Sequence, residues 1–474
     1  LTQVRTESRR VSQFLAKRVH FIGIGGSGMS GLANMLLDSG AIVTGSEPRP
    51  NAQTRNLATR GAVLSAGQTG QLLDSGIDLV VRTAAIPDAN AEYQRAVLLG
   101  LRQCKYAELL GQVMRERVGV AVAGTHGKST TTAMIAHALL ASGRDPSFVI
   151  GGTVPQLGGG SRSGAGSVFV AEACEFDRSF HNLHPRIAVI TNIEADHLDC
   201  YKDLSAIIES FHCFAQLVPG DGVIIANSAD ANSAAALRGI EAPIQTVGFG
   251  DADWSIRPLD SDTGCPRGEI SREGQAVAEL SLSVAGTHNL MNAAMALAAC
   301  AAVGLSPAEA AAVLNTFAGV DRRMTLMGEF NGARIIDDYG HHPTEVRATL
   351  SALRARYRPS RLICVFQPHQ FSRTRLLLDD FGRSFSDADL TIITEIYAVR
   401  DSAEERSATR AEDLVARIVG NGQSAMHLAT FAAVGDHLRQ IARPGDLIVT
   451  MGAGTVGEIG RELVSEKSEN VRRV

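Results

Sequence analysis

Two glycine-rich stretches carry the residue types and spacing that hold phosphate. In GTHGKSTTT, Gly124 and Gly127 let backbone N–H groups turn toward phosphate oxygens, and the positive end of a following helix adds to them. Lys128 then supplies a point charge for the β- and γ-phosphates of a nucleoside triphosphate, and the Ser129 hydroxyl suits Mg2+. The loop is a shortened P-loop, because Val122 stands where the full motif has glycine. In GIGGSGMSG, Gly23, Gly25 and Gly28 follow an apolar run with G-x-G-x-x-G spacing, and Glu47 comes one strand later. This is the dinucleotide fingerprint, yet its physical content is close backbone approach and a helix N-terminus, which suit any diphosphate.

Magnesium on a triphosphate needs hard oxygen ligands, usually on loops at the carboxyl ends of neighbouring strands. Glu172, Glu175 and Asp177 follow the apolar SVFVAEA, and Asp196, His197 and Asp199 follow AVITNIEADHLD. Acidic residues after a strand also cap helices. A histidine among them fits a structural role as well as a second metal position less purely magnesium-like.

Alternating strands and helices must position these groups. VHFIGIG, AIVTGSE, AVLSAG and IDLVVRTAA alternate with helical stretches, the rhythm of a parallel sheet covered by helices. VGVAVAG opens a second unit, β-rich from about 245 to 285 and followed by a helix near 287–302. ARIIDDYG, RLICVFQP, LTIITEIY and DLIVTMGAG define a third. The expected fold is α/β with three domains: residues 1–110 Rossmann-like, 111–318 a central P-loop domain with a mostly parallel sheet, and 319–474 again Rossmann-like.

Composition narrows the partners. A net charge of −5 over 474 residues argues against nucleic acid, which selects a basic face. The most apolar segment, MNAAMALAACAAVGL, is too short to span a bilayer. The opening LTQVRTESRRVSQF has arginines but no apolar core behind them, so it does not read as a secretory signal. Seven scattered cysteines without a C-x-x-C pair read as reduced thiols, and the expected location is the cytoplasm.

GTHGKSTTT, AEACEFD, TNIEADHLD, GTHNLMNAAMA, DRRM, DDYGHHPTEV, FQPHQFSRTR and MGAGTV occur here in the order found in the Mur ligases of peptidoglycan synthesis. The resemblance covers essentially the whole chain, and GIGGSGMSGLA resembles most the branch that handles L-alanine. It implies an ATP-dependent ligation of L-alanine to the lactyl carboxylate of UDP-N-acetylmuramic acid. An acyl phosphate would be the intermediate, with ADP and phosphate released. The implied ion is Mg2+ at two sites, with Mn2+ as an alternative. No nucleic acid or membrane partner is implied, and the expected state is a monomer or weak homodimer.

The resemblance also implies roles for residues. Lys128 would stabilise the transferring phosphoryl group, with Ser129, Glu172 and His197 as metal ligands. Gly124, Thr125, His126, Gly127, Thr130, Asn289, Asn292 and Asp338 would join Lys128 and Ser129 around ATP, with His288 beside them. One arginine of Arg322 and Arg323 would reach the phosphates, with Arg323 preferred. Gly25, Gly26, Ser27, Gly28, Met29, Ser46 and Thr83 would hold the UDP-sugar. Tyr339, His341 and Arg373 would form the amino-acid site, where Gln370 replaces an arginine common in relatives. Read without the resemblance, HHP is a turn leading into a proline-started helix, and Asn289 with Asn292 is a polar helix face.

Other readings make different demands. A recycling ligase for ready-made murein peptides shares the ATP motifs but usually departs from the GGSGMSG loop. A folate polyglutamate ligase lacks the first hundred residues. A dehydrogenase fused to an NTPase would bind NADH without needing a UDP-sugar. A non-catalytic ATP-binding scaffold would tolerate loss of Glu172 and His197.

Overall fold

The computed structural model describes residues 12–472 except position 84, with side chains described through residue 466. Residues 1–11, which hold most of the arginine-bearing opening segment, lie outside the described residues. The first sheet comprises β1 (Arg18–Ile22), β2 (Ile42–Ser46), β3 (Val63–Ser65), β4 (Leu79–Arg82) and β5 (Gln103–Lys105). Its order, β3-β2-β1-β4-β5, is all parallel. The order reverses beside β1, so the carboxyl ends of β1 and β4 open a crevice at the first glycine loop.

The second sheet has ten strands. They are β6 (Val118–Ala123), β7 (Ser147–Val149), β8 (Ser161–Arg162), β9 (Val168–Glu172), β10 (Ile187–Ile190), β11 (Val223–Asn227), β12 (Ile244–Phe249), β13 (Trp254–Leu259), β14 (Arg267–Arg272) and β15 (Gln275–Ser281). Their order is β15-β14-β13-β12-β11-β10-β6-β9-β7-β8. The centre is parallel and β13–β15 form an antiparallel meander at one edge. β6 reads VGVAVA with no polar alternation because helices cover both of its faces. The helix Lys128–Ala141 packs against β6, and beside it the helix Thr287–Ala302, whose residues 293–300 are all buried, covers β10–β13. An alanine-rich helix that is apolar all round belongs in a core, where small side chains let it approach the sheet closely. Among the described residues no helix is long and apolar enough to cross a membrane.

The third sheet comprises β16 (Thr325–Phe330), β17 (Ala333–Asp338), β18 (Arg361–Phe366), β19 (Leu390–Ile393), β20 (Ala425–His427) and β21 (Asp446–Met451). Its order is β16-β17-β21-β18-β19-β20, parallel except for the β16–β17 hairpin.

The first two units share one apolar core. Phe21, Leu32 and Val81 below the first sheet are continuous with Phe169, Phe180 and Phe214 on one face of the second. The helix Tyr106–Met114 lies in this seam, and its Gly111 faces the backbone at Asn182. A methyl group there would collide with the Asn182 carbonyl oxygen. Gly111→Ala is therefore expected to destabilise the fold by about 1–3 kcal/mol, as overpacking does elsewhere. A thermal melt checks this; an unchanged midpoint would mean the seam yields freely.

A second buried feature lies under the first glycine loop. His20, Thr44, Ser46 and Glu92 are fully or nearly fully enclosed. His20 Nδ1 is 2.7 Å from the Thr44 hydroxyl and Nε2 is 3.1 Å from Glu92. The Ser46 hydroxyl donates to the other Glu92 oxygen, while its carbonyl accepts from Gly23 and Ile24. The network ties the loop to β2.

Candidate active site

The second glycine loop runs from the end of β6 into the helix Lys128–Ala141. Gly124 has φ +136° and Gly127 φ +81°, conformations that side chains rarely adopt. The segment after β10 laces this loop: Asn192 accepts from His126 N–H at 2.9 Å, and the Thr191 hydroxyl donates to the His126 carbonyl. No side chain caps the helix at Gly127, and none caps the helix Ser27–Asp38 at Gly26. Helices begun by Asn51, Asn90, Asp203 and Asp230 are capped by those side chains. The two glycine-loop helices thus leave first-turn N–H groups for an anion.

A cavity of about 650 Å³ lies between the second and third sheets. His126, Gly127, Ser129, Thr130, His288, Asn289, Asn292, Arg323 and Asp338 line it, together with Glu194, Thr344 and Glu345. Asn292 donates to Asn289 at 3.1 Å, so the pair faces one way along its helix. Arg322 and Arg323 part company: Arg322 turns to Asp337 and the Gly452 carbonyl, whereas Arg323 lines the cavity and pairs with Glu345 at 3.3 Å. Asp338 accepts the N–H groups of Met324 and Gly340, and burial raises its pKa to about 6 despite Arg323. Burial, reinforced by Arg323, holds His288 down to about 4.

Below the loop, Lys128 lies 2.9 Å from Glu175 and also donates to the Gly124 and Thr125 carbonyls. Burial disfavours its ammonium, but the charges of Glu175 and Glu172 outweigh burial and raise its pKa. Glu172 ends β9 in register with Val122, beside the loop, and accepts the Gly151 N–H at 2.7 Å. His197 Nε2 is 3.7 Å from Glu175. Glu175 Oε2 and His197 Nδ1 are buried with no hydrogen-bond partner among the described residues.

A smaller cleft adjoins His197 and is lined by Asp196, Asp199, Gln370 and Arg373. Arg373 binds Asp196 through Nε and Nη2 at 3.0 and 2.6 Å. Burial would raise Asp196, but Arg373 and the neighbouring histidines hold it well below the usual carboxylate range. His341 stacks edge-on against Tyr339 and against His369. Burial keeps His341 neutral, with a pKa lowered to about 3.

At the first loop, Glu47 accepts the Gly25 N–H at 3.0 Å and so braces the turn from within the protein. Gly26, Ser27 and Gly28 stand at the open helix start. Thr83 follows β4 at the same sheet edge. Met29 and Ser46 are buried beneath the loop, with the Ser46 hydroxyl committed to Glu92, so neither side chain faces the crevice.

The contact that joins the second and third units has no signature in local spacing. His126 lies 3.5 Å from Glu194 and 3.4 Å from Glu345, and Thr344 donates to Glu194 at 2.7 Å. His342 caps its own helix, as the HHP reading anticipates, and lies 3.7 Å from Glu194. Glu194 belongs to TNIEADHLD and Glu345 to DDYGHHPTEV, and only the packing of two domains makes them neighbours. Burial opposes the His126 imidazolium, yet the two carboxylates raise its pKa to about 9, above the ordinary 6.5. Burial would likewise raise Glu194, but His126 lowers it to about 2 from 4.5. The contribution of His126 is complete below pH 6.5 and is lost toward pH 9; that of Glu194 is complete above 4.5 and is lost toward pH 2. His126→Gln is expected to flatten the fall in thermal midpoint between pH 6.5 and 9. An unchanged pH profile would remove the imidazolium from this contact.

A phosphate loop, a nucleotide-sized cavity between two mostly parallel sheets and a diphosphate-type loop on the first sheet define an enzyme that couples a nucleoside triphosphate to another phosphorylated ligand. The chain belongs to the Mur ligase family. Residues 18–118 match the model for the Mur ligase family, catalytic domain; residues 122–300 match the Mur ligase middle domain; residues 322–454 match the Mur ligase, glutamate ligase domain. It is 40% identical over 456 residues to the UDP-N-acetylmuramate–L-alanine ligase of Caldanaerobacter subterraneus subsp. tengcongensis, covering 96% of this chain and 98% of the relative. With the enzyme of that name from Pelotomaculum thermopropionicum it shares 42% identity over 457 residues, 96% and 98% of the two chains. The fold is also that of the UDP-N-acetylmuramate-alanine ligase MurC of Thermotoga maritima, with TM-score 0.78, 24% identity and coverage of 96% and 99%. A murein peptide ligase of Psychrobacter arcticus aligns with TM-score 0.69 and 29% identity over 95% and 98% of the chains.

Proposed function

We propose that this chain joins L-alanine to the carboxylate of UDP-N-acetylmuramic acid, splitting ATP to ADP and phosphate, in the cytoplasmic part of peptidoglycan synthesis. The observation that carries this reading is near end-to-end identity of about 40% with ligases of that name, in a chain that has the phosphate loop with acidic neighbours beside it. Residues 1–110 would bind the UDP-sugar, 111–318 ATP, and 319–474 the amino acid with part of ATP.

A carboxylate is a poor acyl donor because its leaving group would be oxide. Phosphorylation by ATP makes an acyl phosphate, and attack by the amine of alanine then expels phosphate. Such transfer needs positioning and charge neutralisation, with no covalent protein nucleophile. The open first-turn N–H groups after Gly26 would take the UDP pyrophosphate, and those after Gly127 the ATP phosphates. Lys128 would leave Glu175 to follow the γ-phosphoryl group, with Arg323 reaching the same phosphates from the third unit. Asn289, Asn292 and Asp338 would hold the nucleoside, and Tyr339, His341 and Arg373 the amino acid.

The donor set beside the loop suits Mg2+. Ser129 and Glu172 are hard oxygen donors, and the buried, unpartnered Glu175 Oε2 and His197 Nδ1 lie close by. Ser129, Glu172 and His197 would hold two ions. When bound, Mg2+ neutralises phosphate charge and polarises the transferring group.

Phosphate release with ATP, UDP-N-acetylmuramic acid and a panel of acceptors tests the reading. L-Alanine is expected to support turnover and a murein tripeptide is not. Turnover with tripeptide and none with L-alanine would replace this function by peptide recycling.

A further inference from the structure

Arg373 reaches the amino-acid cleft with its charge already matched. It is 6% exposed, and each of its three nitrogens donates within the protein: Nε and Nη2 to Asp196, Nη1 to His369. Gln370, three residues earlier, brings an amide and no charge. Its Nε2 donates to Asp199 at 3.3 Å and to the Val399 carbonyl at 3.2 Å. Binding the carboxylate of a small zwitterion calls for a guanidinium with unused donors.

Arg400 has them. Its Nε donates at 3.0 Å to the same Asp199 oxygen that Gln370 contacts, so its guanidinium stands at the end of the Gln370 side chain. The group rests over the Phe176 ring, 4.3 Å from the centroid, and Phe176 in turn packs against His197. Among the described residues neither Nη of Arg400 has a hydrogen-bond partner, and the side chain is 42% exposed.

The backbone holds Arg400 there deliberately. Its φ of +63° is costly for a residue with a side chain, and hydrogen bonds of its neighbours anchor the segment that carries it. Asp401 accepts the N–H groups of Phe371 and Ser372 and the Ser372 hydroxyl, at the start of the helix that carries Arg373. The Gln370 N–H donates to the Tyr397 carbonyl. The loop before residue 402 is thereby fixed to the Arg373 helix. Burial first, then the cations of Arg373 and Arg400, hold His369 down to about 4, as expected if both charges face one cleft.

We propose that Arg400 supplies the guanidinium that binds the α-carboxylate of the amino acid, in the place where Gln370 offers only an amide. Its two free Nη groups form the planar fork that matches a carboxylate, while Nε on Asp199 and the face on Phe176 set its orientation. The inference rests on the proposed ligase function and refines its acceptor site.

The test compares L-alanine with L-alaninamide, which lacks the carboxylate charge, at saturating ATP and UDP-N-acetylmuramic acid. Arg400→Gln is expected to raise KM for L-alanine at least about tenfold, with L-alaninamide changed by less than about twofold. KM for ATP and for the UDP-sugar should not move. Arg400→Lys should recover part of the loss, having the charge without the fork, and Gln370→Arg added to Arg400→Gln should recover more. An unchanged KM for L-alanine, or equal losses with both acceptors, overturns the assignment. Wild-type protein that releases no phosphate with L-alanine overturns the ligase reading itself, an outcome distinct from failure of the Arg400 variants.

Discussion

Glu172→Ala is expected to lower ADP and phosphate release by about 10³-fold or more while leaving the fold in place. Glu172 ends β9 next to β6, so its carboxylate is delivered to the flank of the phosphate loop by sheet register rather than by a flexible segment. Among the described residues it accepts a single N–H, from Gly151. Losing that bond costs about 1 kcal/mol, a small part of the stability of a chain this size. Activity and stability therefore separate: steady-state phosphate release collapses, and the thermal midpoint shifts by only a few degrees. Normal turnover by Glu172→Ala would remove the residue from the metal site.

Lys128→Met should abolish turnover to a similar extent, by about 10³-fold, but with a different stability signature. Lys128 and Glu175 are 14% and 4% exposed and form an ion pair away from bulk water. Removing the cation leaves a buried carboxylate unpaired, which costs about 3 kcal/mol. The single variant should melt well below the parent. Adding Glu175→Gln removes the stranded charge, so the double variant should regain most of the midpoint and none of the activity. Recovery of activity in the double variant would show that the lysine serves the fold alone.

Much of the site was legible in the chain. GTHGKSTTT marks its own chemistry because a phosphate loop is local: two glycines, a lysine and a helix start lie within six residues, and the backbone between them does the binding. The strands around it were equally plain, since β6 and β10 are continuous apolar runs suited to a sheet buried on both faces. Reading GIGGSGMSG as a cradle for a diphosphate also relied on local geometry, and the uncapped helix at Gly26 agrees with it.

Other features depended on which segments fold against each other. Nothing in DRRM tells its two arginines apart; the packing of the third sheet sends Arg322 to Asp337 and Arg323 into the cavity. Ser46 sits at a strand end near the first loop, a reasonable ligand contact by position, but the buried Glu92, itself held by His20, claims its hydroxyl.

The sequence by itself determined the phosphate loop, the three parallel-sheet units and the family, because each is written in short-range spacing or in motif order. The tertiary structure decided the pairing of Arg373 with Asp196, the contact of His126 with Glu194 and Glu345, and the approach of Arg400 to Gln370 through Asp199. These partners lie far apart along the chain or on separate domains. Their charges balance only after folding brings them within a few ångströms, and spacing in the sequence carries no record of that distance.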